Sequence, residues 1–202
     1  MRIRFIGGQE SSMGSMTLLE TENTSLLIDC GLYRRTDLDS RHINRRFMFD
    51  PAVIRAVVLT DARAERAGNL PTLIRAGFRG DIYGTPATHD LCALMLTDIA
   101  REQQRQAEWL RLTNQPGADP LYDTGDAEIA MQQFVTVPVG GMFRISDSIQ
   151  GIFYDGDPII GPTGVVLEVQ ERGRVKRFRF SEHTAHPPQS FTPQPDDHAL
   201  VL

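Results

Sequence analysis

The chain has 202 residues, 41% of them hydrophobic, and a net charge of −5 from 21 basic and 26 acidic residues. This size and apolar content suit one domain, residues 1–202, with a buried core, and the net acidity disfavours a protein that holds nucleic acid over a broad face. The N-terminal apolar run is too short for a signal peptide, and no stretch approaches the roughly 20 apolar residues that span a bilayer. We therefore expect a cytoplasmic protein without membrane contact.

The first third of the chain is predicted to be mainly β-structure. Residues 34–46 form a polar, arginine-rich segment that predicts a loop. Residues 56–60 are a continuous apolar run, typical of a strand buried on both faces. The strands predicted before the first helix, the second and third of them forming a hairpin, cover residues 3–6, 16–20, 25–28 and 56–60.

Helices are predicted in the middle of the chain. The first has Pro71 in its first turn and ends at Gly77. After a strand over residues 81–84, a long helix begins with Thr85 as N-cap and Pro86 as its first residue. The spacing of its apolar residues predicts one core-facing side formed by Leu91, Met95 and Ile99. A shorter helix is predicted over residues 128–134.

The last third of the chain is predicted to form successive antiparallel strands. A proline-rich, polar stretch at residues 186–197 predicts an extended connector. Strands followed by alternating strands and helices, then more strands, indicate an α/β sandwich with helices outside two sheets. The strands predicted in this part cover residues 135–139, 142–145, 148–154, 164–170, 175–180 and 199–202.

Short segments in a fixed order carry a resemblance to a known family. They include Phe5-Ile6-Gly7-Gly8, Leu27-Ile28-Asp29-Cys30-Gly31, Ala56-Val57-Val58-Leu59-Thr60, Gly68-Asn69-Leu70-Pro71 and Tyr83-Gly84-Thr85-Pro86. Together they resemble the metallo-β-lactamase superfamily and, within it, the β-CASP nucleases, such as ribonuclease J and the endonuclease of the cleavage and polyadenylation complex. The resemblance implies an α/β fold, the metallo-β-lactamase-like αββα sandwich, here without the β-CASP insertion and incomplete at its C-terminus.

The metal-binding motifs of that family are degenerate in this chain. After the threonine, the family has His-x-His-x-Asp-His, which surrounds two zinc ions with imidazoles and a carboxylate, whereas this loop reads Asp61-Ala62-Arg63-Ala64-Glu65-Arg66. A guanidinium has no acceptor atom and is not a ligand. Two later ligand positions of the family align with Asp157 and His183. The degenerate metal-site positions implied by the resemblance are Asp61, Arg63, Glu65, Arg66, Asp157 and His183.

The altered loop has two interpretations. In the first, Arg63 and Arg66 replace the positive charge of zinc and pair with Asp61, Glu65 or Asp157 in a buried network. In the second, the loop has drifted into an exposed, solvated cluster of charges. Neither interpretation includes a binuclear metal centre, so no cofactor is predicted.

Three functions follow as hypotheses. The first is a pseudoenzyme, a non-catalytic partner or scaffold related to RNA-processing nucleases, which self-associates or binds an active homologous subunit. The second is a metal-dependent hydrolase or nuclease with a single zinc or similar ion on Asp61, Glu65, Asp157 and His183. The third is a nucleic-acid or anion binder that uses its arginines on phosphate, which the net charge disfavours. The final strand and Trp109 late on the long helix are the expected association surfaces.

Overall fold

A computed structural model describes residues 1–7, 14–33, 38–116, 119–155, 163–181 and 197–201. The strands are β1 Arg2–Gly7, β2 Met16–Glu20, β3 Ser25–Ile28, β4 Ile54–Val58, β5 Asp81–Gly84, β6 Phe134–Thr136, β7 Met142–Ser146, β8 Ile149–Asp155, β9 Thr163–Glu171, β10 Arg174–Ser181 and β11 Asp197–Val201. The helices are α1 Leu38–Arg45, α2 Ala64–Ala67, α3 Leu70–Arg75, α4 Pro86–Leu112 and α5 Thr124–Gln132.

The described strands form two sheets. Sheet A has the order β1-β2-β3-β4-β5-β6, and sheet B has the order β11-β10-β9-β8-β7. In sheet A the first three strands are antiparallel and β3 to β6 are parallel. Sheet B is antiparallel except for the parallel pair β10–β11. Crossovers through helices join the parallel strands β4, β5 and β6, as parallel pairing requires.

The central strands of sheet A are buried on both faces, because they lie between a helical layer and sheet B. Along these strands, Leu27 and Val57 pack against the helices α2–α5, whereas Ile28 and Val58 pack against the apolar side chains of sheet B. Side chains of a strand alternate between its two faces. A continuous apolar sequence is therefore what this position in the molecule requires.

Several predicted elements are confirmed by the structure. The hairpin of β2 and β3 and the strand β5 have the predicted bounds. The hydroxyl of Thr85 accepts a hydrogen bond from the backbone N–H of Thr88 at 3.2 Å, which caps α4 as predicted. No helix in these described ranges is long and apolar enough to cross a bilayer.

Other elements differ from the prediction. The expected loop at residues 34–46 contains α1. The short helix α5 begins at Thr124 because Asp123 and Asp126 form a capping box, and the following β6 pairs parallel with β5 in sheet A rather than joining an antiparallel series. The expected connector lies outside the described residues except for Asp197, which begins β11.

The core-facing side of α4 is also rotated by one residue from the prediction. Leu91 is 44% exposed, and the buried stripe consists of Thr88, Cys92, Leu96 and Ala100. Three of these four side chains are small, so they allow the helix to approach the sheet closely. The larger apolar residues one position earlier are therefore turned outward or lie at the edge.

Candidate functional site

The candidate site lies at the edge of sheet A where the parallel strands β3 and β4 end. Asp29 follows β3, and Thr60 and Asp61 follow β4. The backbone N–H of Asp29 donates to the carbonyl of Val58 at 2.9 Å, so the two strand ends are joined directly. In open α/β sheets the carboxyl ends of the strands are the usual place for a ligand or catalytic group.

Asp29 is the central acid of this edge. Its Oδ1 accepts from the backbone N–H of Thr60 at 2.8 Å, and the Thr60 hydroxyl lies 2.9 Å from both carboxylate oxygens. Its Oδ2 accepts from Nη1 of Arg66 at 3.0 Å. The side chain is fully buried, and burial raises the pKa of Asp29 from 3.8 to about 6 against the opposing charge of Arg66. Both carboxylate oxygens are thus already engaged by the protein.

Arg66 is buried together with Asp29, with 5% of its side chain exposed. Its Nη1 also lies 3.4 Å from the hydroxyl of Ser15. The backbone carbonyl of Arg66 accepts from the N–H of Cys30 at 2.6 Å, and the carbonyl of Glu65 accepts from the N–H of Ser15 at 3.0 Å. These backbone bonds attach the Asp61–Arg66 loop, whose last residues begin α2, to the end of β3 beside the guanidinium.

Arg63 and Asp61 form a second ion pair. The Asp61 Oδ2 accepts from Nε and Nη2 of Arg63 at 2.9 and 2.6 Å, and its Oδ1 accepts from the backbone N–H of Arg63 at 2.8 Å. The Asp61 carboxylate is buried, but 48% of the Arg63 side chain is exposed. The predicted pairing of an arginine with Asp61 is confirmed here. Arg66 instead pairs with Asp29, for which the sequence predicted only a position at the end of a strand.

Glu65 is the remaining position of the six that the structure describes. Glu65 is half-buried, and it contributes to the site through its backbone carbonyl, which accepts from Ser15. Asp157 and His183 lie outside the described residues. Of the six predicted positions, the structure therefore brings Asp61 and Arg63 together and gives Arg66 a partner that was not predicted.

Glycine at position 31 is required by the close approach of the Asp61–Arg66 loop, where α2 begins. A Cβ atom on Gly31 would lie 1.8 Å from the carbonyl oxygen of Glu65 and 2.6 Å from the backbone nitrogen of Ser15. Both atoms belong to the backbone bond that holds this loop in place. The Asp-Cys-Gly sequence thus supplies the central acid and then the space in which its arginine partner is held.

A network of buried polar side chains also stabilises the same loop. The side chain of Asn44 binds both the N–H and the carbonyl of Tyr33, at 2.8 and 2.9 Å. The amide of Asn69 donates to the carbonyl of Asn44 at 3.0 Å, and the Tyr122 hydroxyl donates to the carbonyl of Gly68 at 3.0 Å. These bonds connect α1 and the segment before α5 to the short helices that follow the site.

The described side chains at this edge are engaged with one another rather than open to a metal ion. The oxygens of Asp29 and Asp61 are taken by N–H and O–H donors, and two guanidinium groups occupy ligand positions of the family's loop. Burial raises the pKa of the Cys92 thiol to about 12 and that of Cys30 further, so neither is a ready thiolate ligand. No cluster of three histidine, cysteine or acidic residues suited to a metal occurs among the residues that the structure describes.

Sequence comparison finds relatives that are named a ribonuclease and transcription termination factors. A ribonuclease of Thermus thermophilus is 38% identical over 101 residues, which cover 50% of this chain and 23% of that protein. The transcription termination factor FttA of Thermococcus kodakarensis is 26% identical over 177 residues, which cover 84% of this chain and 26% of that protein. The chain therefore spans about a quarter of the length of these curated relatives. No protein-family model matches it.

Comparison with solved structures identifies the fold. The Rm3 metallo-β-lactamase superposes with a TM-score of 0.52 at 16% identity, over 94% of this chain and 62% of that chain. A metallo-β-lactamase of Cronobacter sakazakii with a HARLDQ motif gives 0.51 at 18% identity, over 92% of this chain and 57% of that chain. The resemblance inferred from the ordered segments is thus confirmed: the chain has the metallo-β-lactamase fold, and its sequence relatives are a ribonuclease and transcription termination factors.

Proposed function

We propose that this chain is a catalytically degenerate protein of the metallo-β-lactamase fold that acts as a non-catalytic partner or scaffold related to RNA-processing nucleases. The observation that carries the proposal is the buried ion pair of Arg66 with Asp29, at 3.0 Å. It places a permanent positive charge at a ligand position of the family's loop and uses the central acid of the site as its counter-charge.

Among the described residues at this edge, two arginines pair with two buried acids. A divalent cation about 4 Å from one guanidinium would be repelled by roughly 8 kcal/mol at an effective dielectric constant of about 20. It would also have to displace the donors that already fill the oxygens of Asp29 and Asp61. The two arginines therefore supply positive charge where the family has two zinc ions, and they hold the loop rather than activate water.

The sequence relatives support an RNA-processing context. One is named a ribonuclease and the others are named transcription termination factors. This chain matches about a quarter of each, so their activities are not transferred with the matched segment. A protein that keeps the fold of such factors and has lost the metal ligands is suited to binding an active homologous subunit.

The alternative is a metal-dependent hydrolase or nuclease with an unorthodox single-metal site. One observation favours it. The HARLDQ motif of the Cronobacter sakazakii enzyme and the Asp61–Arg66 loop share alanine and arginine at the second and third places, and both have an acid at the fifth. An arginine at the place of Arg63 therefore occurs in a protein that is called a metallo-β-lactamase. The buried Arg66 at the sixth place, where that motif has glutamine, distinguishes the two loops.

The degenerate site is tested by metal content and RNA cleavage. The protein, purified without chelator, is expected to carry clearly less than one equivalent of zinc or manganese. With either metal added, it is expected to leave single-stranded RNA intact under conditions in which the Thermus thermophilus ribonuclease is assayed alongside. Two tightly held metal ions per chain, or cleavage abolished by Glu65→Gln but not by the control Glu128→Gln, would establish the alternative. Glu128 is an exposed acid on α5, away from the site.

The partner role is tested separately. The purified chain is mixed with a full-length metallo-β-lactamase-fold nuclease from the same cell, and complex formation is measured by sedimentation. A complex that changes the rate of RNA cleavage by the nuclease is expected. A chain that neither binds this nuclease nor alters its rate has no scaffold role toward it, whatever the outcome of the metal measurement.

A further inference from the structure

The outer face of α4 exposes large apolar side chains at both of its ends. Leu91 and Leu94, near its beginning, are 44% and 72% exposed, and Trp109 and Leu112, near its end, are 56% and 79% exposed. A surface of this kind often marks an association site. We name it the α4 stripe, and its residues are Leu91, Leu94, Asp98, Arg101, Glu102, Arg105, Trp109 and Leu112.

The spacing places the whole stripe on one side of the helix. At about 100° per residue, these eight positions fall within an arc of roughly 100°. The buried side chains Cys92, Leu96 and Ala100 lie on the opposite arc, which packs in the helix-side core. The stripe runs about 30 Å along the helix, at 1.5 Å per residue, and faces directly away from the domain.

The middle of the stripe consists of four charged and exposed residues. They occur in the order Asp98, Arg101, Glu102 and Arg105, so the signs alternate along the helix. An antiparallel copy of the stripe, related by a two-fold axis between Arg101 and Glu102, would place Asp98 opposite Arg105. These two residues lie near the centre line of the stripe, whereas Arg101 and Glu102 lie about 100° apart on its two edges. The same operation places Leu91 opposite Leu112 and Leu94 opposite Trp109.

We propose that the α4 stripe is a self-recognition surface, and that its occupant is a second copy of this chain bound antiparallel about a two-fold axis. An isologous interface must be self-complementary, and under this one operation Asp98 meets Arg105 and the apolar end of one copy meets the apolar end of the other. A parallel pairing is disfavoured because it would place Asp98 against Asp98 and Arg105 against Arg105. Charge complementarity of this kind sets the orientation and register of a helix pair.

The contact that Arg105 already makes does not compete strongly with this pairing. Arg105 donates to Glu102 on the same helix at 2.6 Å, but both side chains are mostly exposed. An exposed pair three residues apart on a helix contributes little. In the dimer, Arg105 can bind Asp98 of the other copy at the centre, with apolar contacts on each side. The proposal stands independently of the proposed function.

The self-complementarity gives a test by charge reversal. In Asp98→Arg, the introduced arginine would face Arg105 of the other copy, and in Arg105→Asp, the introduced aspartate would face Asp98. Each variant alone is expected to dissociate at least tenfold more readily than the unchanged chain, measured by sedimentation equilibrium between about 1 and 100 µM. An equimolar mixture of the two variants restores both opposite-charge contacts. The double variant Asp98→Arg/Arg105→Asp restores them within one chain, so both samples are expected to dimerise again.

The control uses the same helix and the same change of charge. Arg111→Asp alters an exposed arginine that lies off the stripe, and it is expected to leave the dimer unchanged. Circular dichroism of every variant checks that α4 remains folded. A chain that is monomeric throughout this range overturns the proposal, and so does a dimer that persists in both single variants. Failure of the mixture to re-associate would show that the charges of the stripe do not face each other.

Discussion

At the residue scale, the pairing of Arg66 with Asp29 determines what the candidate site can do. Asp29 adopts a left-handed backbone conformation, with φ of 60°, which aspartate and asparagine tolerate better than most residues. That conformation turns its carboxylate toward Thr60 and Arg66. Two charges taken out of water cost free energy that their attraction only partly returns. The effect of the pair on stability is therefore largest when one member is removed, because the other charge is then buried without a partner.

The first residue-scale prediction is that Arg66→Met lowers the free energy of unfolding by about 3–5 kcal/mol, because it leaves a buried carboxylate without its counter-charge. Arg63→Met is the matched control, with an expected loss of roughly 1 kcal/mol, because Arg63 is half-exposed and its pairing with Asp61 is screened by water. Urea unfolding at pH 8, followed by circular dichroism, measures both.

The double variant Arg66→Met/Asp29→Asn separates the charge from the packing. Asparagine keeps the left-handed backbone and still accepts from Thr60 but carries no charge, so much of the loss in Arg66→Met should be recovered. Equal losses in the Arg66 and Arg63 variants, or no recovery in the double variant, would mean that the ion pair is not what stabilises this loop.

The two ion pairs differ in how far the sequence could predict them. Asp61 and Arg63 are two residues apart in one loop, and their pairing follows from the local sequence once the altered motif is recognised. Asp29 and Arg66 are 37 residues apart, and only the parallel pairing of β3 with β4 brings them together. One signal was available, because an aspartate directly after a buried apolar run must find a partner.

At the element scale, α2 is positioned by how closely its backbone approaches Gly31. We predict that Gly31→Ala lowers the free energy of unfolding by about 3 kcal/mol, because backbone atoms must move to admit the methyl group. Gly140→Ala is the matched control. Gly140 has φ of 79° but open space around it, so only the conformational cost of about 1 kcal/mol applies.

Thermal or urea unfolding of the two variants distinguishes a lack of space for the methyl group from the conformational cost of a positive φ. If Gly140→Ala destabilises the protein as much as Gly31→Ala, the backbone contact with Glu65 is not the constraint at position 31. The Gly31 variant should also expose Arg66, which increased reaction of its guanidinium with an arginine-specific reagent would detect.

The positions of elements were predictable where local patterns specify them. The hairpin of β2 and β3, the strand β5 and the cap of α4 follow from apolar runs and from Thr85-Pro86. The rotation of α4 about its axis was not predictable, because Leu91 and Leu96 are equally apolar and only packing against sheet A decides which of them is buried. The same limit applies to β6, whose parallel pairing with β5 depends on a partner that lies beyond two intervening helices in the chain.

At the scale of the whole molecule, sheet A holds the protein together because both cores are built on it. Its two faces contribute to the helix-side core and to the core between the sheets. The order of predicted elements indicated this layering, and the ordered segments indicated the superfamily. The Asp29–Arg66 pair places a buried titratable group, Asp29, at the end of a strand of this shared sheet.

The dependence of stability on pH should reveal that group. Burial raises the pKa of Asp29 from 3.8 to about 6 in the folded protein. Between these values the folded state binds more protons than the unfolded state, so the contribution of Asp29 to stability falls as the pH rises from about 4 to 6 and is constant above. Glu168 acts in the opposite sense, because hydrogen bonds from Gln150 and Arg177 lower its pKa. Its contribution is present above its ordinary pKa and is lost as the pH falls.

A comparison of the unchanged chain with Asp29→Asn isolates the Asp29 contribution, because the other titrating groups are common to both. We predict that the free energy of unfolding of the unchanged chain, relative to that of Asp29→Asn, decreases by about 3 kcal/mol between pH 4 and pH 7, which corresponds to roughly two pKa units. The constant offset from the altered Arg66 contact does not affect this slope, since arginine stays protonated throughout. Urea unfolding at half-unit pH intervals measures it. A difference that is flat, or that increases with pH, would mean that Arg66 stabilises the charged carboxylate more than burial destabilises it.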